Sequence, residues 1–119
     1  MTTEGDIETA ARRMAETIAR LNAQLRKTGE GGTIVVTQGV LALKGFDRSI
    51  LAAALANYDE FDVDNDPHGE GDFGDFSLFE TDIYFKIDYY DPDLKFGSDD
   101  PANALRTHRV LTVMAEADL

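Results

Sequence analysis

"FSLFETDIYFKIDYY", residues 76–90, is the stretch on which the fold turns. Two aromatic and β-branched runs flank the turn-like Glu80-Thr81-Asp82, which predicts a β-hairpin. Along the second run Ile83, Phe85, Ile87 and Tyr89 point to one face, and Tyr84, Lys86, Asp88 and Tyr90 to the other, because successive side chains of a strand alternate. One face is apolar and needs a cover; the other carries charge and hydroxyls.

Downstream, "DPDLKFGSDDPANA" (91–104) is rich in turn residues, with Pro92 and Pro101 each following an aspartate, and predicts an ordered surface loop. "THRVLTVMA" (107–115) supplies a last strand. Upstream, "FDRSILAAALANY" (46–58) has Asp47 placed as N-cap and Phe46 as a staple against Leu51. Ile50, Leu51, Ala54 and Leu55 fall on one side, which gives a short helix from about 48 to 58. "GGTIVVTQGVLAL" (31–43) has three β-branched residues bracketed by glycines, predicting a strand at about 33 to 37 followed by a turn or bulge at Gln38-Gly39. Residues 3–28 form the strongest helical pattern, with Ile7, Ala10, Ala11, Met14, Ile18, Leu21 and Leu25 at spacings of three and four. Thr3 with Asp6 suits its start, and Arg26, Lys27 and Gly29 suit its end.

The expected fold is α+β, one domain spanning 1–119. It has an about four-stranded, mostly antiparallel sheet, with two helices packed on one face and covering Ile34, Val36, Ile83, Phe85 and Ile87. An acidic loop and hairpin region occupies 59–100.

Composition narrows function by exclusion. The chain has 119 residues, no cysteine and a net charge of −12. Disulfides, thiolate metal sites and cysteine nucleophiles are therefore absent, and a cytoplasmic location is expected. No secretory leader or membrane span is expected from the pattern. Charge is unevenly placed: 15 of the 23 acidic residues lie between Asp59 and Asp100 against Lys86 and Lys95 alone, a segment charge of −13. Direct binding to DNA, RNA or anionic lipid needs clustered cations and is not expected.

The acidic stretch "DVDNDPHGEGDFGDF" (62–76) invites several chemistries. Asp62, Asp64 and Asp66 have the spacing of the first ligands of a calcium-binding EF-hand loop, but Pro67 stands where that loop needs glycine and Phe73 where it needs glutamate. A different calcium or magnesium site from Asp62, Asp64, Asp66 and Glu70 stays open, against a solvated turn-rich loop. Zinc would call on His68 and His108 with a carboxylate, without a diagnostic spacing. Glu70 with Asp72 or Asp88 could serve as general acid and base. Ser49, Ser77 and Ser98 lack a nucleophile elbow. "GEGDFG" has a dinucleotide-loop spacing but sits among aspartates that repel a pyrophosphate. No metal, cofactor or catalytic residue is assigned.

The remaining reading treats the carboxylates as a surface. Repulsion within a Debye length of about 8 Å at physiological salt opposes folding, so a segment this acidic asks for a partner, a cation or a need for solubility.

"NDPHGEGDFG" (65–74), with "FKIDYYDPDLKFGSDDPAN" and "HRVLTVMAEADL" downstream, resembles the bacterial family called domain of unknown function 3768, common in alphaproteobacteria and often plasmid-borne. The resemblance covers most of the chain, from the first helix and "GGTIVVTQGV" through the acidic loop to Lys86–Asp91. Gly71 stands where the family often has a second histidine, which leaves His68 alone in the loop. The resemblance implies a bacterial cytoplasmic protein carried on mobile elements and no particular activity.

The leading expectation is an acidic, non-enzymatic protein-binding inhibitor that mimics DNA and acts on a basic nucleic-acid-binding protein, a nuclease or other component of CRISPR or restriction defence. Its carriers would be Asp59, Glu60, Asp62, Asp64, Asp66, Glu70, Asp72, Asp75, Asp82, Asp91, Asp93, Asp99 and Asp100. The alternative is a small metal-assisted or carboxylate-based enzyme centred on Asp64, Asp66, His68, Glu70 and Asp72 in the Asp62–Asp72 loop. In a third reading, Asn65 to Gly74 builds a rigid turn with Asp66 and His68 bonding local backbone.

Overall fold

The capping residues act where the sequence places them. In the computed structural model, which describes residues 3–119, α1 runs Glu4–Thr28 behind a Thr3–Asp6 capping box. The Asp6 amide donates to Thr3 Oγ1 at 3.3 Å and the Thr3 amide to Asp6 Oδ2 at 3.2 Å. Gly29 ends the helix in the left-handed conformation that glycine enters at no steric cost. β1 is Gly32–Val36, α2 is Gln38–Leu41, α3 is Arg48–Asn57, β2 is Phe73–Leu78, β3 is Thr81–Tyr90 and β4 is His108–Ala115. Asp47 caps α3 by accepting from the Ser49 and Ile50 amides at 2.9 and 3.1 Å.

The sheet has the order β1-β4-β3-β2 and is mixed, which corrects the mostly antiparallel expectation. β2, β3 and β4 pair antiparallel, whereas β1 runs parallel to β4, with Gly32 opposite Arg109 and Val36 opposite Val113. The last strand enters between β1 and β3, and strand direction there depends on the long connection rather than on any local residue pattern. A Cβ at Gly32 would collide with the Arg109 carbonyl oxygen and lie 3.0 Å from Leu25, so glycine lets β1 approach both β4 and α1.

The hairpin forms one residue earlier than the sequence suggests. Phe79 and Glu80, not Glu80-Thr81-Asp82, occupy the turn, with φ of 55° and 62°. Two such residues make the mirror-image turn that fits the twist of paired strands, normally signalled by Asn-Gly. Here the cost of a left-handed phenylalanine is offset by packing, since Phe79 sits 5.7 Å from the Phe46 ring.

Leu25 of α1, Val40 of α2, and Leu51 and Leu55 of α3 share one core with Ile83, Phe85, Ile87, Leu111, Val113 and Ala115. β4 alternates without exception, burying Arg109, Leu111, Val113 and Ala115. Three expectations fail at the margins of this core. Gln38-Gly39 opens a one-turn helix capped by Thr37, so the described residues hold three α-helices rather than two. Ile34 is 37 % exposed because β1 is an edge strand, and Ile50 is exposed as well. Only the C-terminal part of the α1 stripe is covered: Ile18 and Leu25 are buried, while Ile7, Ala10, Ala11 and Met14 are exposed. A helix of 25 residues reaches roughly 37 Å and overhangs the sheet, which accounts for molecular dimensions of 59 × 32 × 24 Å.

The overhang makes a stability prediction. Ile7→Ser should change unfolding free energy by no more than about 0.5 kcal/mol, whereas Leu25→Ala should cost about 2–5 kcal/mol. Urea denaturation followed by circular dichroism separates the two, and equal losses would place the N-terminal half of α1 in the core.

Candidate functional site

The acidic loop between α3 and β2 is built by its own side chains. Asp62 Oδ1 accepts from the Asp64 and Asn65 amides at 2.9 and 3.0 Å, and Asn65 Oδ1 accepts from the Asp62 amide at 2.9 Å. Asn65 Nδ2 donates to the Glu60 carbonyl at 2.8 Å. Asp66 Oδ1 then accepts from the Glu70 and Gly71 amides at 2.9 and 3.0 Å. Asx turns of this kind replace the backbone pairing that a loop lacks. Asp66 behaves as the rigid-turn reading expects, and His68 does not: it is exposed and makes no hydrogen bond among the described residues.

Beneath the loop lies a buried polar chain that sequence reasoning missed. Asn22, fully buried on α1, donates through Nδ2 to the Glu70 carbonyl at 3.0 Å and to Tyr89 Oη at 2.8 Å. Tyr89 Oη donates onward to Glu70 Oε1 at 2.8 Å. Asn22 Oδ1 accepts from Arg109 Nε at 2.8 Å, and Arg109 also donates through Nη2 to the Pro101 carbonyl while its guanidinium lies 5.2 Å from the Tyr89 ring centre. Among the described residues no buried side-chain polar atom of this set lacks a hydrogen-bond partner, so it satisfies the rule that buried polar groups be paired. It fastens the acidic loop to α1, β3 and β4 at once. The signals were present: Asn22 interrupts the apolar stripe of α1, and Arg109 occupies an inward position of an alternating strand.

Burial separates the candidate acidic residues into two kinds. Burial pushes the Asp72 carboxyl above the ordinary carboxylate range, and the negative charges of Glu70 and Asp66 push it further. Burial likewise drives the Tyr89 hydroxyl far above the usual phenol range, so it serves as a hydrogen-bonding group and not as a base. Glu70, Asp66, Asp72, Asp91 and Asp100 are half-buried, and Asp91 Oδ1 accepts from the Lys95 amide at 3.0 Å. Asp59, Glu60, Asp62, Asp64, Asp75, Asp82, Asp93 and Asp99 are exposed.

These groups do not converge on a centre. Among the described residues no set of three His, Asp or Glu side chains is arranged to hold a metal ion. His68 and His108 are placed apart, with His108 Nε2 2.9 Å from Thr33 Oγ1 on β1. The one ion pair among the described residues joins Lys86 Nζ to Asp88 Oδ2 at 2.9 Å, so all thirteen candidate partner-binding carboxylates lack a paired cation. The arrangement offers a rigid, uncompensated negative surface along the loop and the β2 edge, continued in the 91–100 loop.

Asp72 carries a pH prediction. A carboxyl raised in the folded state adds stability below its unfolded value of about 3.9, and that stability is lost as pH rises through the folded value. Asp72→Asn should therefore stabilise the protein at pH 7, with the gain shrinking as pH falls toward about 4. Thermal melts of both proteins across this range test it, and a destabilised Asp72→Asn at pH 7 would show that the ionised carboxylate is held by the fold.

No helix of the described residues is long and apolar enough to cross a membrane. Comparison with curated proteins and with solved structures gives no match. A family model does match, over residues 36–118, leaving out α1 and all of β1 except Val36. By that match the chain belongs to the family described as protein of unknown function (DUF3768).

Proposed function

We propose that this protein is an acidic inhibitor that binds a basic nucleic-acid-binding protein in the cytoplasm, mimicking DNA, with a nuclease or other component of restriction or CRISPR defence as its target. What carries the reading is that no cation among the described residues pairs with the exposed carboxylates, on a loop whose backbone is held by Asp62, Asn65 and Asp66. Fixed negative charges spaced along a surface attract a DNA-binding groove without presenting a base sequence. The buried chain from Arg109 to Glu70 supports the same reading, since it keeps the loop in place without ordering cost on binding.

The test is plasmid cleavage by a panel of purified restriction and CRISPR nucleases with the protein in molar excess. At least one nuclease should lose about tenfold or more of its activity at low salt and recover it as salt rises. His68→Ala should leave inhibition intact and Glu70→Gln, one of thirteen carboxylates, should weaken it only slightly, whereas a carboxylate-based enzyme would lose its effect with either. Undiminished cleavage across the panel would count against mimicry.

A further inference from the structure

The sheet is polar in its charge. Acidic residues collect toward the β2 edge, and the opposite edge, β1, borders a cleft of about 300 Å³ between the C-terminus of α1, β1 and α3. Its apolar walls include Ile34, Val36, Leu51 and Leu55, and its charged residues are Arg26, Lys27 and Arg48. No carboxylate lines it, in a chain with 23 acids against 11 bases. Arg26 is only 6 % exposed, and its Nη1 donates to the Leu55 and Tyr58 carbonyls at 2.7 and 2.9 Å. Its Nε, closed to solvent, has no acceptor among the described residues.

Arg26 therefore serves the fold, its guanidinium 5.4 Å from the Phe61 ring centre, and the cations the cleft offers a ligand are the exposed Lys27 and Arg48. Apolar walls with a few convergent polar groups are the usual make-up of a small-molecule site. We propose that this cleft binds a small amphiphilic carboxylate, a chain or ring of about six to ten carbons, with its apolar body against Ile34, Leu51 and Leu55 and its carboxylate toward Lys27 and Arg48. Anions are repelled by most of this molecule, so selective uptake here depends on those two cations. The site is independent of the acidic surface on the other edge.

Octanoate is the probe, with octylammonium and octan-1-ol as controls, titrated into the full chain by calorimetry and by amide and methyl NMR. Octanoate should saturate one site with a Kd of about 1 mM or tighter and shift Ile34, Leu51 and Ala52, with both controls at least about tenfold weaker. Lys27→Glu with Arg48→Glu, both exposed positions, should weaken binding about tenfold or more while leaving the melting temperature unchanged. Ala52→Phe should fill the cleft and abolish binding. Equal binding of octan-1-ol, indifference to the Lys27 and Arg48 changes, or no saturation would overturn the proposal. So would tighter binding of an acetylated Glu-Ala-Asp-Leu peptide, which would make the occupant a polypeptide, or closure of the cleft by a second copy at rising protein concentration.

Discussion

Arg109→Ala should cost about 3–5 kcal/mol, a large share of the 5–15 kcal/mol typical of a domain. The side chain is 1 % exposed, lies over the Tyr89 ring, and donates to Asn22 and to the Pro101 carbonyl. Its removal leaves the buried Asn22 Oδ1 and the half-buried Pro101 carbonyl unpaired, the first costing about 1–3 kcal/mol, and opens a void beside Tyr89. Replacing both members of the pair with apolar residues of similar volume, Asn22→Leu with Arg109→Met, should cost less than the two single changes added together, by about 1 kcal/mol or more. Urea denaturation gives the energies, and amide hydrogen exchange should show residues 59–72 losing protection first. A loss under about 1 kcal/mol for Arg109→Ala would mean the chain of hydrogen bonds does not hold the loop.

The second large effect concerns binding. Asp59, Glu60, Asp64 and Asp75 are exposed, and their carboxylates accept no hydrogen bond among the described residues, so the fold does not depend on them. Changing all four to lysine should weaken inhibition of the target nuclease by about 100-fold or more, because each attraction becomes a repulsion. Stability should hold or rise as self-repulsion is relieved. Reversing Glu4, Glu8, Glu16 and Glu30, which lie on α1 and the segment after it, changes net charge equally and should leave inhibition largely intact. Equal losses from both sets would mean that overall charge, and not the surface along the loop and β2, drives binding.

Much of this was legible in the chain because local chemistry dictates it. The caps at Thr3, Gly29 and Asp47 act through side chains within a few residues, and the alternation of β3 and β4 states which face is buried. What stayed hidden depends on distant partners. The parallel pairing of β1 with β4 follows from where the last strand inserts, and the exposure of Ile7 and Met14 follows from a helix longer than the sheet beneath it. The turn at Phe79-Glu80 carries none of the usual turn residues, since packing against Phe46 decides it. At the candidate site, the acidic character of 59–100 was plain, and so was the turn chemistry of Asp66. The Asn22–Arg109 link, 87 residues apart in sequence, was marked only by two polar residues in apolar positions.

The salt dependence of competition tests the central claim most directly. The protein is titrated against a fluorescent duplex bound to the inhibited nuclease, from about 50 to about 300 mM NaCl, with the duplex affinity measured in parallel at each concentration. A mimic held by its carboxylate surface loses affinity by about tenfold or more over that range, on a log–log line that flattens when Asp59, Glu60, Asp64 and Asp75 are reversed. An affinity that stays constant with salt, or a slope unchanged by the reversal, would contradict the account.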